Sequence, residues 1–158
     1  LFTNGRVLNT LIISPPGLGK TTLLRDIVRL VSEQGVRVAI ADERGELAAV
    51  SAGVPRFDVG AHTDVLTGAP KEYAVMTLLR TMTPRVIALD EISEACDARA
   101  VELAANCGVS ILSTVHGHDK SDVFSRPVFG NIRARGIFRR AVTIGLDGTR
   151  RSFRVEEI

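Results

Sequence analysis

The amino-acid sequence predicts an α/β fold: a mostly parallel sheet with helices on both faces and a β-hairpin at the carboxyl end. Three observations carry this. Short apolar runs alternate with helical patterns along 158 residues. The runs are continuously apolar, as in strands buried on both faces, where a half-exposed strand would alternate. Near the end, Asp147-Gly148 separates two strand-like runs and is a strong hairpin signal.

Each element has its own reason. Val7–Ser14 reads as a strand, and Lys20–Gln34 as an amphipathic helix closed by Gly35. VRVAIA, residues 36–41, is a second buried strand. Residues 42–68 are rich in glycine, proline and acids and read mostly as loop. Lys71–Met82 is a helix stopped before Pro84. Arg85–Leu89 is a third strand. Ser93–Asn106 is a helix with Ser93 as its N-cap. Val109–Val115 is a fourth strand, followed by an irregular stretch to Gly136. Arg140–Leu146 and Arg151–Glu156 form the hairpin. The length suits one domain, residues 1–158. The chain begins with Leu1, so a domain excised from a longer protein is expected.

Composition excludes more than it identifies. Charged residues are 24%, hydrophobic ones 45% and the formal net charge +2, too small to argue for nucleic acid by itself. Lys20, Lys71 and Lys120 are the only lysines; the remaining positive side chains are arginine, a bias that a GC-rich genome also produces. No apolar run approaches the ~18 residues of a membrane span, and the start lacks a signal-peptide pattern. Cys96 and Cys107 are 11 residues apart on one predicted helix, or ~16 Å. A disulfide needs Cα atoms ~6 Å apart, so reduced thiols and a cytosolic chain are expected.

The chemistry starts at SPPGLGKTT, residues 14–22. It departs from the phosphate-loop pattern G-x-x-x-x-G-K-[ST] only at Ser14. A strand before and a helix after give the context that pattern needs. Pro15 and Pro16 have no N–H to offer phosphate, so the cradle comes from the amides of Gly17, Leu18, Gly19, Lys20, Thr21 and Thr22. Ser14 then simply continues the strand. Lys20 is expected on the β- and γ-phosphates and the Thr21 hydroxyl on Mg²⁺. VIALDE, residues 86–91, fits a buried strand ending in a metal-binding acid, Asp90. Glu91 stands where a carboxylate orients or deprotonates the attacking water. The bland alternative is an acidic pair at a helix start.

Asp42, Glu43 and Glu46 end the second strand, where α/β sheets bind ligands; solvated loop charges explain them equally. Thr114 or His116, at the tip of the fourth strand, is placed to sense a γ-phosphate if that strand lies between the loop strand and the Asp90 strand. A histidine capping a turn is the plain reading of His116, as of His118. Arg126, Arg133, Arg135, Arg139 and Arg140 form a cluster that suits an arginine finger, a nucleic acid or an acidic partner equally.

The ordered set SPPGLGKTTLLRD, IADERGELA, DVGAHTDVLTGAPK, VIALDEI and NCGVSILSTVHG resembles the stage III sporulation protein AA family. That family is the sporulation branch of the type II/IV secretion ATPases, which are RecA-like P-loop ATPases. The resemblance covers about residues 8 to 118, and its specificity lies in DERGEL and DVGxxTDVLxGxPK. It implies ATP and Mg²⁺ as cofactors, and Lys20, Glu91, Glu46 and His116 as catalytic residues. It reads Asp42–Glu46 as the Asp box and His116 as the His box. It also implies a hexameric ring in the full-length protein, membrane secretion-channel partners, and a peripheral place on the mother-cell side of the forespore membrane. His62 stands where the family usually has arginine. The other function weighed is a RecA-like, nucleic-acid-dependent translocase. Few lysines and 4% aromatics weaken it, and no stable nucleic-acid complex is expected.

Overall fold

The computed structural model of the chain describes residues 2–3 and 5–158. Strands β1 (Phe2–Thr3) and β2 (Arg6–Val7) form a small antiparallel pair. The remaining strands are β3 (Thr10–Ser14), β4 (Val38–Asp42), β5 (Thr63–Thr67), β6 (Val86–Leu89), β7 (Ser110–His116), β8 (Arg140–Asp147) and β9 (Arg150–Glu157). They make one seven-stranded sheet in the order β5-β4-β6-β7-β3-β8-β9. All neighbours are parallel except β8 and β9. The helices are α1 (Lys20–Glu33), α2 (Lys71–Thr81), α3 (Ala95–Asn106), α4 (Lys120–Ser125) and α5 (Gly130–Ala134).

The central strands are buried along their whole length, which is why they read as unbroken apolar runs. Successive side chains take opposite faces. Leu11 and Ile13 pack with α2, α3 and α5 through Ala74, Val75, Leu78, Val101 and Ile132. Ile12 and Ile40 pack with α1 on the other face. The stripe of α1 buries Leu24, Ile27, Val28 and Val31, at roughly 1.5–3 kcal/mol each. Gly35, at φ 76, closes the helix in the left-handed conformation.

Several boundaries differ from the sequence reading, each for a physical reason. The segment 42–68, expected to be loop, contains β5. This strand is the sheet's edge, and its TDVLT side chains are only partly buried, so it lacks the continuous apolar run of its neighbours. Val7–Ser14 is interrupted: β3 begins at Thr10, and Val7 belongs to β2. Helix α3 starts after Glu94, not Ser93; the Asp97 carboxylate accepts from the N–H groups of both residues and sets the start. The hairpin turn is Gly148-Thr149, one residue later than expected, because Asp147 still pairs with Arg150. The stretch after His116 is not irregular throughout, since α4, a short 3-10 turn and α5 fill it.

Gly60 holds the loop before β5 against α1. It sits at φ +88, and an added Cβ would lie 2.5 Å from the Ser32 Cβ. Ser32 also accepts the His62 N–H through its Oγ at 2.8 Å. Gly60→Ala is therefore expected to cost about 1–3 kcal/mol, read as a lower denaturation midpoint. An unchanged midpoint would mean that the loop does not rest on α1.

Candidate functional site

Ser14, Asp42, Leu89 and His116 end four parallel strands at the same sheet edge. The carboxyl edge is where open α/β sheets bind ligands. Strand β7 does lie between β3 and β6, the order that brings His116 toward the 14–22 loop.

The loop behaves as its sequence demands. Ser14 is buried and continues β3, paired with His116. Gly17 and Gly19 take φ 78 and 89, a region closed to most side chains. Gly19 is the N-cap of α1, and no acid lies in the first turn. The free N–H groups of a helix start, with the positive end of its dipole, form an anion site.

Lys20 opens α1 and is only 8% exposed. Its Nζ lies 3.0 Å from His116 Nε2. An ammonium can only donate, so Nε2 is the acceptor in this contact. The Nδ1 of His116 is buried and has no hydrogen-bond partner among the described residues. Glu91 Oε2 lies 3.5 Å from the same Nε2, and Arg44 Nη2 donates to it at 3.1 Å. The main-chain carbonyl of His116 accepts from Arg126 Nη1 at 2.6 Å, and Arg126 also grips both oxygens of Asp122. Arg126 thus fixes the tip of β7.

Asp90 is 5% exposed. Its Oδ1 accepts from the Thr114 hydroxyl at 3.0 Å and from the Glu91 N–H at 3.1 Å. Both of its hydrogen bonds among the described residues go to Oδ1, which leaves Oδ2 for a cation. Thr114 Oγ1 also accepts the Glu91 N–H at 2.9 Å, and Thr114 O accepts from Ile92 N. These contacts hold Glu91 at φ 26, a conformation that costs a non-glycine residue roughly 1–3 kcal/mol. Burial pushes the Asp90 carboxyl above its ordinary value, and the negative charge of Glu46 adds to this; Thr114 opposes it.

An acid whose folded-state value is raised destabilises the fold as pH climbs through that value. Asp90→Asn is therefore expected to raise the thermal midpoint of the ligand-free protein near neutral pH. The gain should shrink as pH falls toward the range where Asp90 is already protonated. An equal or lower midpoint at neutral pH would contradict this reading of Asp90.

The 42–48 loop is organised from inside. Asp42 is fully buried, and its carboxylate accepts from the amides of Leu47 and Ala48, so it shapes the loop and does not face a ligand. Glu43 is held by Lys71 at 3.1 Å. Arg25 on α1 donates to the carbonyls of Glu46 and Leu47 and stacks on Phe57, with Cζ 3.8 Å from the ring centroid. The Glu46 carboxylate remains exposed at the site's rim, 3.9 Å from Arg44 Nε.

Other candidates fall elsewhere. His62 precedes β5, so it lies at the opposite sheet edge, roughly 16 Å away for five strand residues. Arg135, Arg139 and Arg140 also lie toward that edge, where Arg140 pairs with Thr10. Arg133 lines a depression beside α4. No group of three His, Cys, Asp or Glu side chains among the described residues could hold a metal alone. The oxygens of Thr21 and Asp90 suit a hard cation that also takes ligands from a nucleotide. Residues missed from sequence are Arg44, Lys71 and Asp97. Lys71 carried one signal, as one of three lysines in an arginine-rich chain.

The fold is that of the P-loop secretion ATPases. It superposes on the VirB11 ATPase of the Brucella suis type IV secretion system, solved with sulphate, at TM-score 0.69 and 19% identity, over 94% of this chain and 49% of that one. The Legionella pneumophila ATPase DotB gives 0.68 and 20%, over 96% and 45%. The pilus retraction motor PilT with bound ADP gives 0.67 and 17%, over 97% and 48%. The chain itself belongs to the family described as sporulation stage III, protein AA, which it matches over residues 1–156. It is 43% identical over 125 residues to stage III sporulation protein AA of Bacillus subtilis, covering 76% of this chain and 41% of that protein. It is also 31% identical over 144 residues to the Arabidopsis thaliana protein SEEDLING PLASTID DEVELOPMENT 1, over 89% of this chain and 20% of that protein. The chain thus spans less than half the length of these relatives.

Proposed function

We propose that this chain is an Mg²⁺-dependent ATPase domain, the motor of a sporulation complex of the secretion type. One observation carries the reading. Lys20, at the mouth of an acid-free helix start, and Glu91, on a strained turn, converge on one imidazole, His116. Structural neighbours include ATPases of secretion systems and a retraction motor holding ADP, which supports ATP as the ligand.

The roles follow from position. The amides of Gly17 to Thr22 hold phosphate oxygens. Lys20 leaves His116 for the β/γ-phosphates, and His116 Nε2 is freed as that charge arrives. Thr21 Oγ1 and Asp90 Oδ2 would hold Mg²⁺, which would neutralise charge on the phosphates. Glu91 takes a proton from water as the water oxygen bonds to the γ-phosphorus. The bond to the bridging oxygen breaks, and ADP and phosphate leave. Glu46, across Arg44 from Glu91, is the second carboxylate at the mouth of the site. A nucleic-acid-driven translocase is less well supported, because Arg126 is bound to Asp122 and the His116 carbonyl, and Arg135, Arg139 and Arg140 lie toward the sheet edge opposite the phosphate loop.

The family relation extends the proposal to a hexameric ring at the forespore membrane, on the mother-cell side, acting on channel proteins. No helix among the described residues is long and apolar enough to cross a membrane. Phosphate release from ATP with and without Mg²⁺ tests the enzyme. Turnover that needs Mg²⁺ supports it; bound ATP with no release at any protein concentration contradicts it. Light scattering with and without Mg-ATP tests the ring, which a strict monomer of the full-length protein would rule out.

A further inference from the structure

The amino edge of the sheet, opposite the phosphate loop, carries a groove that the proposed reaction does not use. Two adjoining hollows make it, of about 420 and 500 Å³. They share Arg6, Val7, Gly108, Val109 and Ser110, so they form one continuous trough. It crosses the amino ends of β6, β7, β3 and β8, in the order in which the sheet sets them side by side.

Charge is unevenly placed around this trough. Arg6, Arg85, Arg135 and Arg139 line it, and no aspartate or glutamate does. All four arginines are exposed. None has an ion-pair partner among the described residues. The Arg135 side chain donates to the neutral amide of Asn106. Glu43, Glu46, Asp90 and Glu91 stand at the other end of the sheet, just after β4 and β6. Four like charges are thus gathered where nothing among the described residues neutralises them. Between them the floor is apolar: Val7, Val86 and Ile137 are buried and Val109 is half-buried.

We propose that this groove docks an extended acidic segment of a partner protein, with two carboxylates four residues apart and an apolar side chain midway between them. The spacing follows from the sheet. Arg85 and Arg139 immediately precede β6 and β8. Those strands are three steps apart, with β7 and β3 between them, or roughly 14 Å at ~4.8 Å per step. Four residues of extended chain cover ~13 Å. Alternate residues of such a chain share a face, so the middle side chain meets the valines when both acids meet arginines. An arginine fork suits a carboxylate, which it can grip with two parallel hydrogen bonds. A nucleic acid fits less well, because no aromatic side chain lines the groove for a base to stack on. A lipid surface is too flat to enter it. The proposal stands apart from the nucleotide reading, since the groove shares no residue with the phosphate loop.

The probe is a dye-labelled peptide carrying Asp-Ala-Leu-Ala-Asp within an otherwise serine chain, followed by fluorescence anisotropy. Saturable binding to the wild-type protein is expected. Arg85→Ala and Arg139→Ala should each weaken it roughly ten-fold, the scale of one lost charge-assisted hydrogen bond, with the thermal midpoint unchanged. A control peptide with the two aspartates adjacent should bind at least ten-fold more weakly, about one such bond fewer. Arg85→Glu should lose the original peptide and bind one in which a lysine replaces one aspartate, a rescue that misfolding could not produce. Equal affinity for the spaced and adjacent peptides overturns the proposal, as does wild-type affinity in both alanine variants. Failure of the wild-type protein to bind the spaced peptide overturns it too. Tighter binding of a single-stranded oligonucleotide, or of phosphatidylglycerol vesicles, that the same alanine variants abolish would assign the groove to that ligand instead.

Discussion

Glu91→Gln is expected to lower the turnover of ATP by about 10²–10⁴-fold, the usual contribution of a positioned general base, with Mg-ATP binding retained. The amide has the same shape and keeps the turn. The Glu91 N–H contacts with Thr114 and Asp90 are main-chain and do not depend on the side chain. What is lost is the carboxylate that accepts the proton, together with its ion pair to Arg44. Single-turnover hydrolysis separates this from binding. A rate within a few-fold of wild type would remove Glu91 from the chemistry and leave its strained backbone unexplained.

Lys71→Met is expected to cost about 3–5 kcal/mol of folding stability, the scale for stripping one partner from a buried ion pair. Domains of this kind have only ~5–15 kcal/mol in total. Lys71 and Asp97 are 6% and 4% exposed and 3.0 Å apart. Lys71 also reaches Glu43, so a single ammonium ties the 42–48 loop to the start of α3. Burial alone would push the Asp97 carboxyl up, but the amides of Ser93 and Glu94 and the Lys71 ammonium outweigh it and hold it below its ordinary value. Burial likewise opposes the Lys71 charge, and Asp97 with Glu43 overcomes it. The sign of the pH effect follows. A depressed carboxyl contributes stability above its unfolded value, ~3.9, and loses it as pH falls through the folded value. The cost of Lys71→Met should therefore be full at neutral pH and shrink in acid. Denaturant unfolding of both single variants and the double variant Lys71→Met/Asp97→Asn isolates the pair. A coupling under ~1 kcal/mol would contradict the assignment.

What was legible from sequence depended on range. The 14–22 loop, Asp90-Glu91 and His116 were readable because strand, turn and helix follow one another locally. The place of β7 between β3 and β6 was readable only through the order known for hydrolytic P-loop sheets. Strand β5 was not: as an edge strand it has polar Thr63, Asp64 and Thr67 where buried strands have valine or isoleucine. Arg44 on Glu91 and Lys71 on Asp97 were not readable either, because they join residues 47 and 26 positions apart. Such pairings need the topology first. Asp42 illustrates the opposite error. An acid at a strand's carboxyl end suggests a ligand, yet its carboxylate turns inward to two amides of its own loop. Ser14 was the easier case. Two prolines after it removed any donor role, and the strand carries through it unbroken.

The central claim is that a nucleoside triphosphate sits on the 17–22 loop and is gripped by Lys20. Titration calorimetry of Mg-ATP into the wild-type protein and into Lys20→Ala tests it most directly. Saturable binding by wild type, weakened at least ten-fold by Lys20→Ala in a protein that still folds, is the predicted result. Equal affinity in the two proteins, or no binding by wild type, would contradict it.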